Sequence, residues 1–114
     1  MIVLVSLLRR LPELTAAQFT AHHREHHAPL FASVDEVRRL VRRYTVESPA
    51  AVGDLAAPQV DAVVRQWFDD VEAIHELLAS DGYRTVVLPD ERRFIDHASS
   101  TFYVTTELDV PITP

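Results

Sequence analysis

The sequence predicts one α+β domain, residues 1–114, built on a four-stranded antiparallel sheet, and three observations lead to that prediction. The chain has 114 residues, of which 47% are hydrophobic and 25% charged, a composition typical of one folded domain rather than of a disordered or fibrous segment. Apolar runs with strand composition alternate with helical patterns. Along the chain these segments follow the order strand, helix, strand, strand, helix, strand.

That βαββαβ order is typical of the ferredoxin-like fold, in which two helices cover one face of a single sheet. The other face then needs a cover. In the first strand Ile2 and Leu4 point to one face and Val3 and Val5 to the other, and all four are apolar. A two-layer monomer would leave one of these sets in water. We therefore expect two chains to pair through their sheets as a homodimer.

The first strand and the first helix have the clearest signals. Residues 2–8 are apolar at nearly every position, as in a strand buried on both faces. Thr15 is followed by Gln18 in a capping box that predicts a helix over residues 16–33. Pro29 should bend or interrupt that helix, because its ring clashes with a carbonyl of the preceding turn.

The rest of the chain divides at polar, glycine and proline positions. The predicted segments are a strand at 39–48, a loop of small residues at 49–58, a strand at 60–68, a helix that begins at 69–72 and ends near 80–82, a mixed stretch at 83–99 with a turn at 88–90, and a strand at 101–107.

Composition and charge exclude several classes of function. Eleven basic against seventeen acidic residues give a net charge of -6, which argues against a nucleic-acid partner. All the basic residues are Arg, and Cys is absent, so Schiff-base lysine chemistry, thiolate nucleophiles and cysteine-held metals are excluded. The apolar run at residues 2–8 lacks signal-peptide features and is far shorter than the roughly 20 residues that span a bilayer. We expect a cytoplasmic protein that does not enter membranes.

Four of the six histidines lie within residues 22–27. On a helical wheel that turns by about 100° per residue, His23 and His26 fall inside the apolar stripe of this helix, while His22 and His27 flank it. The helix thus turns imidazoles toward the sheet. This pattern predicts a polar pocket between the helix and the sheet.

Three interpretations of the cluster stay open. First, His23, His26 and His27 act in general acid–base catalysis, since imidazole titrates near neutral pH. Second, the pairs at i,i+4 spacing ligate a metal, which would need a third ligand from His97 or a carboxylate. Third, the imidazoles are hydrogen-bonded packing residues. No metal is assigned at this stage.

Candidate ligand-binding residues lie elsewhere as well. Aromatic rings can line a flat pocket for an aromatic ligand, and Tyr hydroxyls can donate to its carbonyl. Each of the aromatic candidates is also explained as part of the core. Asp61, which begins the third strand and could orient an imidazole, is also explained as a cap. The candidates are His22, Tyr44, Trp67, Phe94, His97 and Tyr103.

Four short motifs follow one another along the chain. Phe19 precedes the pair His22-His23, and the triplet His-Ala-Pro at 27–29 follows. Trp-Phe-Asp at 67–69 and Phe-Ile-Asp at 94–96 come next, and the four motifs in this order resemble those of the EthD family. The resemblance extends from residue 4 to residue 107. It implies a dimeric α+β barrel made of two ferredoxin-like subunits.

Carried over residue by residue, the family's motif histidine is His27, and His23 stands where the family usually has Trp. An imidazole there makes the pocket more polar and adds a second proton-transfer group. Relatives with the same barrel include muconolactone isomerases, polyketide cyclases, decarboxylases and oxygenases. The resemblance therefore implies a pocket for a planar, often oxygenated ligand.

Together these observations favour a cofactor-independent isomerase, cyclase, dehydratase or decarboxylase that acts on an aromatic, polyketide-like or lactone compound. His27 and His23 would give or take the proton, and His26, Tyr44 or Tyr103 would donate to the developing oxyanion. Two other classes stay open. One is a binding protein for an aromatic metabolite without catalysis, and the other is a haem-dependent or metal-dependent oxygenase.

Overall fold

A computed structural model describes residues 1–53, 55 and 59–114. Of the predicted loop at 49–58, residues 54 and 56–58 lie outside the described residues. The elements in chain order are β1 (Ile2–Leu8), α1 (Ala16–His22), a first π turn (His23–His27), α2 (Ala28–Ser33), α3 (Asp35–Leu40), β2 (Val41–Glu47), β3 (Ala62–Phe68), α4 (Val71–Ala79), a second π turn (Tyr83–Val87), α5 (Leu88–Glu91), a 3-10 turn (His97–Ser99) and β4 (Thr101–Thr106).

The four strands form one antiparallel sheet in the order β2-β3-β1-β4. This confirms the predicted βαββαβ order and the antiparallel sheet. β1 and β3 lie at the centre of the sheet, where helices cover one face and Val3, Val5 and Trp67 pack together on the other, so β1 is apolar on both sides. β2 and β4 are the edge strands. No helix among residues 1–53, 55 and 59–114 has both the length and the hydropathy to cross a bilayer.

The predicted second strand was wrong at its start. Residues 39 and 40 belong to α3, and β2 begins at residue 41. Asp35 and Glu36 occupy the first turn of α3, while Arg38 and Arg39 occupy its last turn. This arrangement of charges complements the helix dipole. The short helix therefore extends through positions whose composition also fits a strand.

The capping box at Thr15 is confirmed. The backbone N–H of Gln18 donates to Thr15 Oγ1 at 3.1 Å, and the backbone N–H of Thr15 donates to Gln18 Oε1 at 2.9 Å. Helical structure then continues to Ser33 through the first π turn, in which the N–H of Ala28 donates to the carbonyl of His23. The expected interruption at Pro29 takes this form, because a wider turn relieves the clash of the ring with the preceding turn.

The second π turn is also followed by a proline, in the first turn of the next helix. Pro89 is the second residue of α5, as Pro29 is of α2, and each helix directly follows a π turn. The predicted turn at 88–90 was therefore wrong, and the mixed stretch is helical up to Glu91. Pro fits the first turn of a helix because its missing N–H has no partner there and its fixed φ is already helical.

The core on the helix-covered face consists of two clusters. One surrounds Phe68 and Phe31 beneath α3 and α4, and the other surrounds Phe19, Phe94 and Leu8 beneath α1. These two clusters fix the distance between the helices and the sheet. The functional side chains described below lie in that space.

On the open face of the sheet, Val3 and Val5 are only 2% and 5% exposed within a single chain. Trp67 packs beside them, the Arg43 guanidinium lies 4.5 Å from its ring centroid, and Glu107 accepts a hydrogen bond from its indole N–H. The expectation that one set of β1 side chains would be in water was therefore wrong for these residues. Within the four strands, the exposed large apolar residues lie instead on β4, at residues 102–104.

The capping box gives a prediction about stability. Thr15→Ala removes the side-chain acceptor at the N-terminus of α1, so the free energy of unfolding should fall by about 1 kcal/mol. Urea denaturation measures the change. Thr15→Ser keeps the hydroxyl and should lose much less, and an equal loss in the two variants would contradict the role of the cap.

Candidate active site

A buried carboxylate, Asp90, lies at the centre of the histidine cluster. Its residue exposure is 5%. His27 Nδ1 lies 2.7 Å from Asp90 Oδ2, and His22 Nε2 lies 3.1 Å and 3.0 Å from the two carboxylate oxygens. His26 Nε2 makes a close polar contact with Oδ1 at 3.3 Å. Three imidazoles from the first helical segment (residues 16–33, which comprise α1, the first π turn and α2) therefore contact one carboxylate from α5.

Sequence reasoning missed Asp90 because it assigned residues 88–90 to a turn. The proline that led to that assignment occupies the first turn of α5. One signal could have found it: Pro89, like Pro29, stands inside a helical pattern. If one proline is compatible with a helix, the other is also compatible with one.

The first π turn corrects which imidazoles are buried. His23 and His27 are 2% and 5% exposed, whereas the side chain of His26 is 55% exposed. The helical wheel had placed His26, not His27, inside the apolar stripe. A π turn closes on the fifth residue rather than the fourth and so advances fewer degrees per residue. His27 is thereby carried to the buried side.

Electrostatics fix the protonation states of the His27–Asp90 pair. Burial opposes ionisation of Asp90, but the hydrogen bonds from His27 and His22 hold its pKa below the usual value. Burial lowers the pKa of His27, and Asp90 partly offsets that effect. At neutral pH an ionised Asp90 then accepts a hydrogen bond from Nδ1–H of a neutral His27. In that tautomer Nε2 of His27 carries a free lone pair.

His23 is a neutral group at physiological pH. Burial lowers its pKa to about 4. Its ring packs edge-on against Phe19 at 5.6 Å between centroids. Phe94, predicted as a ligand contact, lies 5.2 Å from His23 and 4.9 Å from His27, with no exposed surface. Phe94 is therefore a core residue that packs against the imidazoles and holds them in position.

Two adjoining cavities lie between the helices and the sheet. The smaller, of about 40 Å³, is lined by His23, His27 and Tyr44. The larger, of about 260 Å³, is lined by His97 together with apolar residues of β1 and α4. Four residues line both cavities: Ser6, Gln66, Glu91 and Phe102. The buried imidazoles therefore open toward a space large enough for a small molecule.

Glu91 is a second residue that sequence reasoning missed. It follows Asp90 directly, and its Oε1 accepts hydrogen bonds from the Tyr83 hydroxyl at 3.1 Å and from His97 Nε2 at 2.9 Å. Burial raises the pKa of both Tyr83 and Tyr44, so both phenols keep their protons. The cavity wall thus combines one carboxylate with two phenolic donors.

The structure brings Tyr44 and His97 to the cavities but separates Trp67 and Tyr103 from them. Trp67 pairs with Val3 across the sheet, and Tyr103 pairs with Val5. Those positions belong to the open face, because successive side chains of a strand alternate between faces. Within one chain, neither residue contributes to the pocket beside His27.

The chain was compared with known protein families. The model of the EthD domain matches residues 11–98. The chain belongs to the EthD family. No curated protein matches this EthD chain significantly.

Solved structures agree with the EthD assignment. An EthD family protein of Bacillus halodurans C-125 has a TM-score of 0.70 at 20% identity, covering 95% of this chain and 99% of that one. HapK of Hahella chejuensis has a TM-score of 0.65 at 12% identity, covering 100% and 99%. A dimeric ferredoxin-like protein of unknown function from Thermobifida fusca YX has a TM-score of 0.64 at 15% identity, covering 93% and 90%. At these identities the likeness shows the fold, which is ferredoxin-like.

The packing of Phe94 gives a prediction about the integrity of the site. Phe94→Ala removes a fully buried ring that contacts Phe19 and three imidazoles, so the free energy of unfolding should fall by about 3–5 kcal/mol. Chemical denaturation measures the loss. Phe94→Leu keeps most of the apolar volume and should lose less, and a negligible effect of Phe94→Ala would show that the ring does not support the cluster.

Proposed function

We propose that this EthD protein is an enzyme that transfers a proton on a small conjugated carbonyl, phenolic or lactone compound. The observation that carries the proposal is the hydrogen bond of 2.7 Å between His27 Nδ1 and Asp90 at the cavity wall. A carboxylate in that position orients the imidazole and stabilises the imidazolium that forms when the other nitrogen takes a proton. His27 is then the general base, and Asp90 is its positioning residue.

Removal of the proton by His27 leaves an enolate, and a second group must stabilise its negative charge. Tyr44 and His23 line the same cavity as His27, and the Tyr44 phenol stays protonated because burial raises its pKa. A donor in a site shielded from water stabilises developing negative charge strongly. The geometry therefore favours Tyr44 as this donor over Tyr103, which lies on the open face, and over the exposed His26.

The residues that line the larger cavity indicate the class of ligand. Leu4, Leu77 and Phe102 supply apolar wall, and Gln66 and Glu91 supply polar groups. Binding sites for small molecules typically combine such an apolar lining with a few polar groups that fix orientation. A planar compound with a carbonyl or phenol at one end fits this arrangement. Isomerisation, cyclisation with loss of water and decarboxylation all pass through an enol or enolate on such a compound, and the chain supplies the groups for that step.

We also propose that the chain forms a homodimer through the open face and edge of its sheet. On β4, Phe102, Tyr103 and Val104 are each more than 40% exposed. An exposed apolar edge strand is a site of pairing with another chain. The neighbours from Thermobifida fusca and Bacteroides fragilis are described as dimeric ferredoxin-like proteins, which supports the same assembly for this one.

Proton abstraction can be tested before the product is known. A panel of conjugated ketones, phenols and lactones is incubated with the protein in D₂O, and mass spectrometry measures deuterium incorporation next to the carbonyl. We expect His27→Gln to lower the exchange rate of an accepted compound by about 100-fold or more, since it removes the general base. His75→Ala, at an exposed position on α4, should leave the rate unchanged.

Two outcomes would contradict enzymatic proton transfer. One is exchange that survives His27→Gln at the wild-type rate. The other is a panel in which compounds bind with measurable affinity by calorimetry but none exchanges faster than in buffer. The second outcome would favour the binding protein that sequesters or delivers an aromatic metabolite.

The homodimer has its own measurement. Light scattering during size-exclusion chromatography should give twice the chain mass of 12.9 kDa. Tyr103→Lys places a charge on the exposed edge strand, and the mass should shift toward that of one chain. Val71→Lys, at an equally exposed position on α4, serves as the matched control. A wild-type protein that elutes with the mass of one chain at micromolar concentration would exclude the dimer.

A further inference from the structure

We infer that His22, His26 and Asp90 form a binding site for one divalent first-row transition-metal ion such as Zn²⁺. Each of the three residues offers one ligand atom, and these atoms all lie within 4.8 Å of one another. Two donors come from the first helical segment and one from α5. A bound ion would therefore join the first helical segment directly to α5.

The distances between donor atoms match the requirement of a tetrahedral ion. Zn²⁺ binds imidazole nitrogen and carboxylate oxygen at about 2.0–2.2 Å, so neighbouring ligands of a tetrahedron lie about 3.3–3.5 Å apart. His26 Nε2 lies 3.3 Å from Asp90 Oδ1, and His22 Nε2 lies 3.1 Å from the same oxygen. Both of these separations are close to the tetrahedral values, and the two imidazole nitrogens lie within 4.8 Å of each other.

The set of donors indicates the class of ion. Two imidazoles and one carboxylate suit Zn²⁺, Co²⁺ or Fe²⁺, whereas Mg²⁺ and Ca²⁺ prefer oxygen ligands throughout. His22 and His26 are four residues apart, and their ring centroids lie 4.9 Å apart on one side of the helix. Three protein ligands leave at least one coordination position for water, as in other sites with three protein ligands.

The site is held in place by a partner outside the three donors. Asp90 Oδ2 accepts a hydrogen bond from the buried His27, which fixes the orientation of the carboxylate. Such outer partners orient ligating groups in metal sites. Access from solvent is open, because the side chains of His22 and His26 are 27% and 55% exposed. An ion can thus enter without unfolding the helices.

Metal binding and the proposed proton transfer use different donor groups around Asp90. His27 faces the cavity, whereas His22 and His26 supply the metal ligands. The inference therefore goes beyond the proposed function. It can fail while deuterium exchange by chelator-treated protein succeeds, and it can succeed while no compound exchanges.

The test uses the full chain without an affinity tag, treated with EDTA and dialysed. Isothermal titration calorimetry with Zn²⁺ should give one ion per chain, and Co²⁺ should produce visible absorption bands typical of low coordination number. His26→Ala and Asp90→Asn should each weaken Zn²⁺ binding by more than about 10-fold, the least that loss of even an outer partner causes. His75→Ala, which removes another exposed histidine, should bind as the wild type does.

Circular dichroism checks that each variant is folded, and the exposed position of His26 makes that variant the safer one. Absence of Zn²⁺ binding by the wild type would overturn the proposal. Binding that persists unchanged in folded Asp90→Asn would also overturn it, because the ion would then be held only by a histidine pair on the helix surface. Equal weakening by His75→Ala would show nonspecific association with histidines.

Discussion

The arrangement of this site depends on the burial of one carboxylate. An ionised group in a protein interior is costly unless hydrogen bonds and opposite or polar partners surround it. Asp90 meets that requirement with His27 and His22, which donate to it, and with His26 close by. The first helical segment and α5 must therefore approach each other at this point. That approach also sets His23 and Glu91 around the cavity.

The two π turns make this approach possible. Each directly precedes a short helix whose second residue is proline, once in each half of the βαββαβ order. A π turn accommodates the proline and also rotates the residues that follow it relative to an unbroken α-helix. In the first segment the rotation buries His27 and exposes His26, and in the second it begins the helix that carries Asp90. Backbone geometry, rather than hydrophobic pattern, thus selects the imidazoles that face the cavity.

The two faces of the sheet carry different sets of side chains. Its helix-covered face carries Ser6 and Gln66 into the cavity wall, which is where the proposed proton transfer would take place. Its open face carries Trp67 and Tyr103, and the apolar side chains of β4 lie exposed at the edge. Alternation along the strands places neighbouring residues on opposite faces, so Phe102 lines the cavity whereas Tyr103 lies on the open face. An interface on β4 would therefore adjoin the site, because Phe102 is exposed on that strand and also lines the cavity.

The sequence by itself determined β1, the capped helix at Thr15, the order of strands and helices, and the concentration of imidazoles on one helix, because these follow from local patterns of polarity and hydrogen bonding. Tertiary structure alone decided which imidazoles are buried, since a π turn leaves no hydrophobic signature. It also decided the role of Asp90, 63 residues beyond His27, because a contact between distant segments depends on how the helices pack. The positions of Trp67 and Tyr103 on the open face required the register of the sheet.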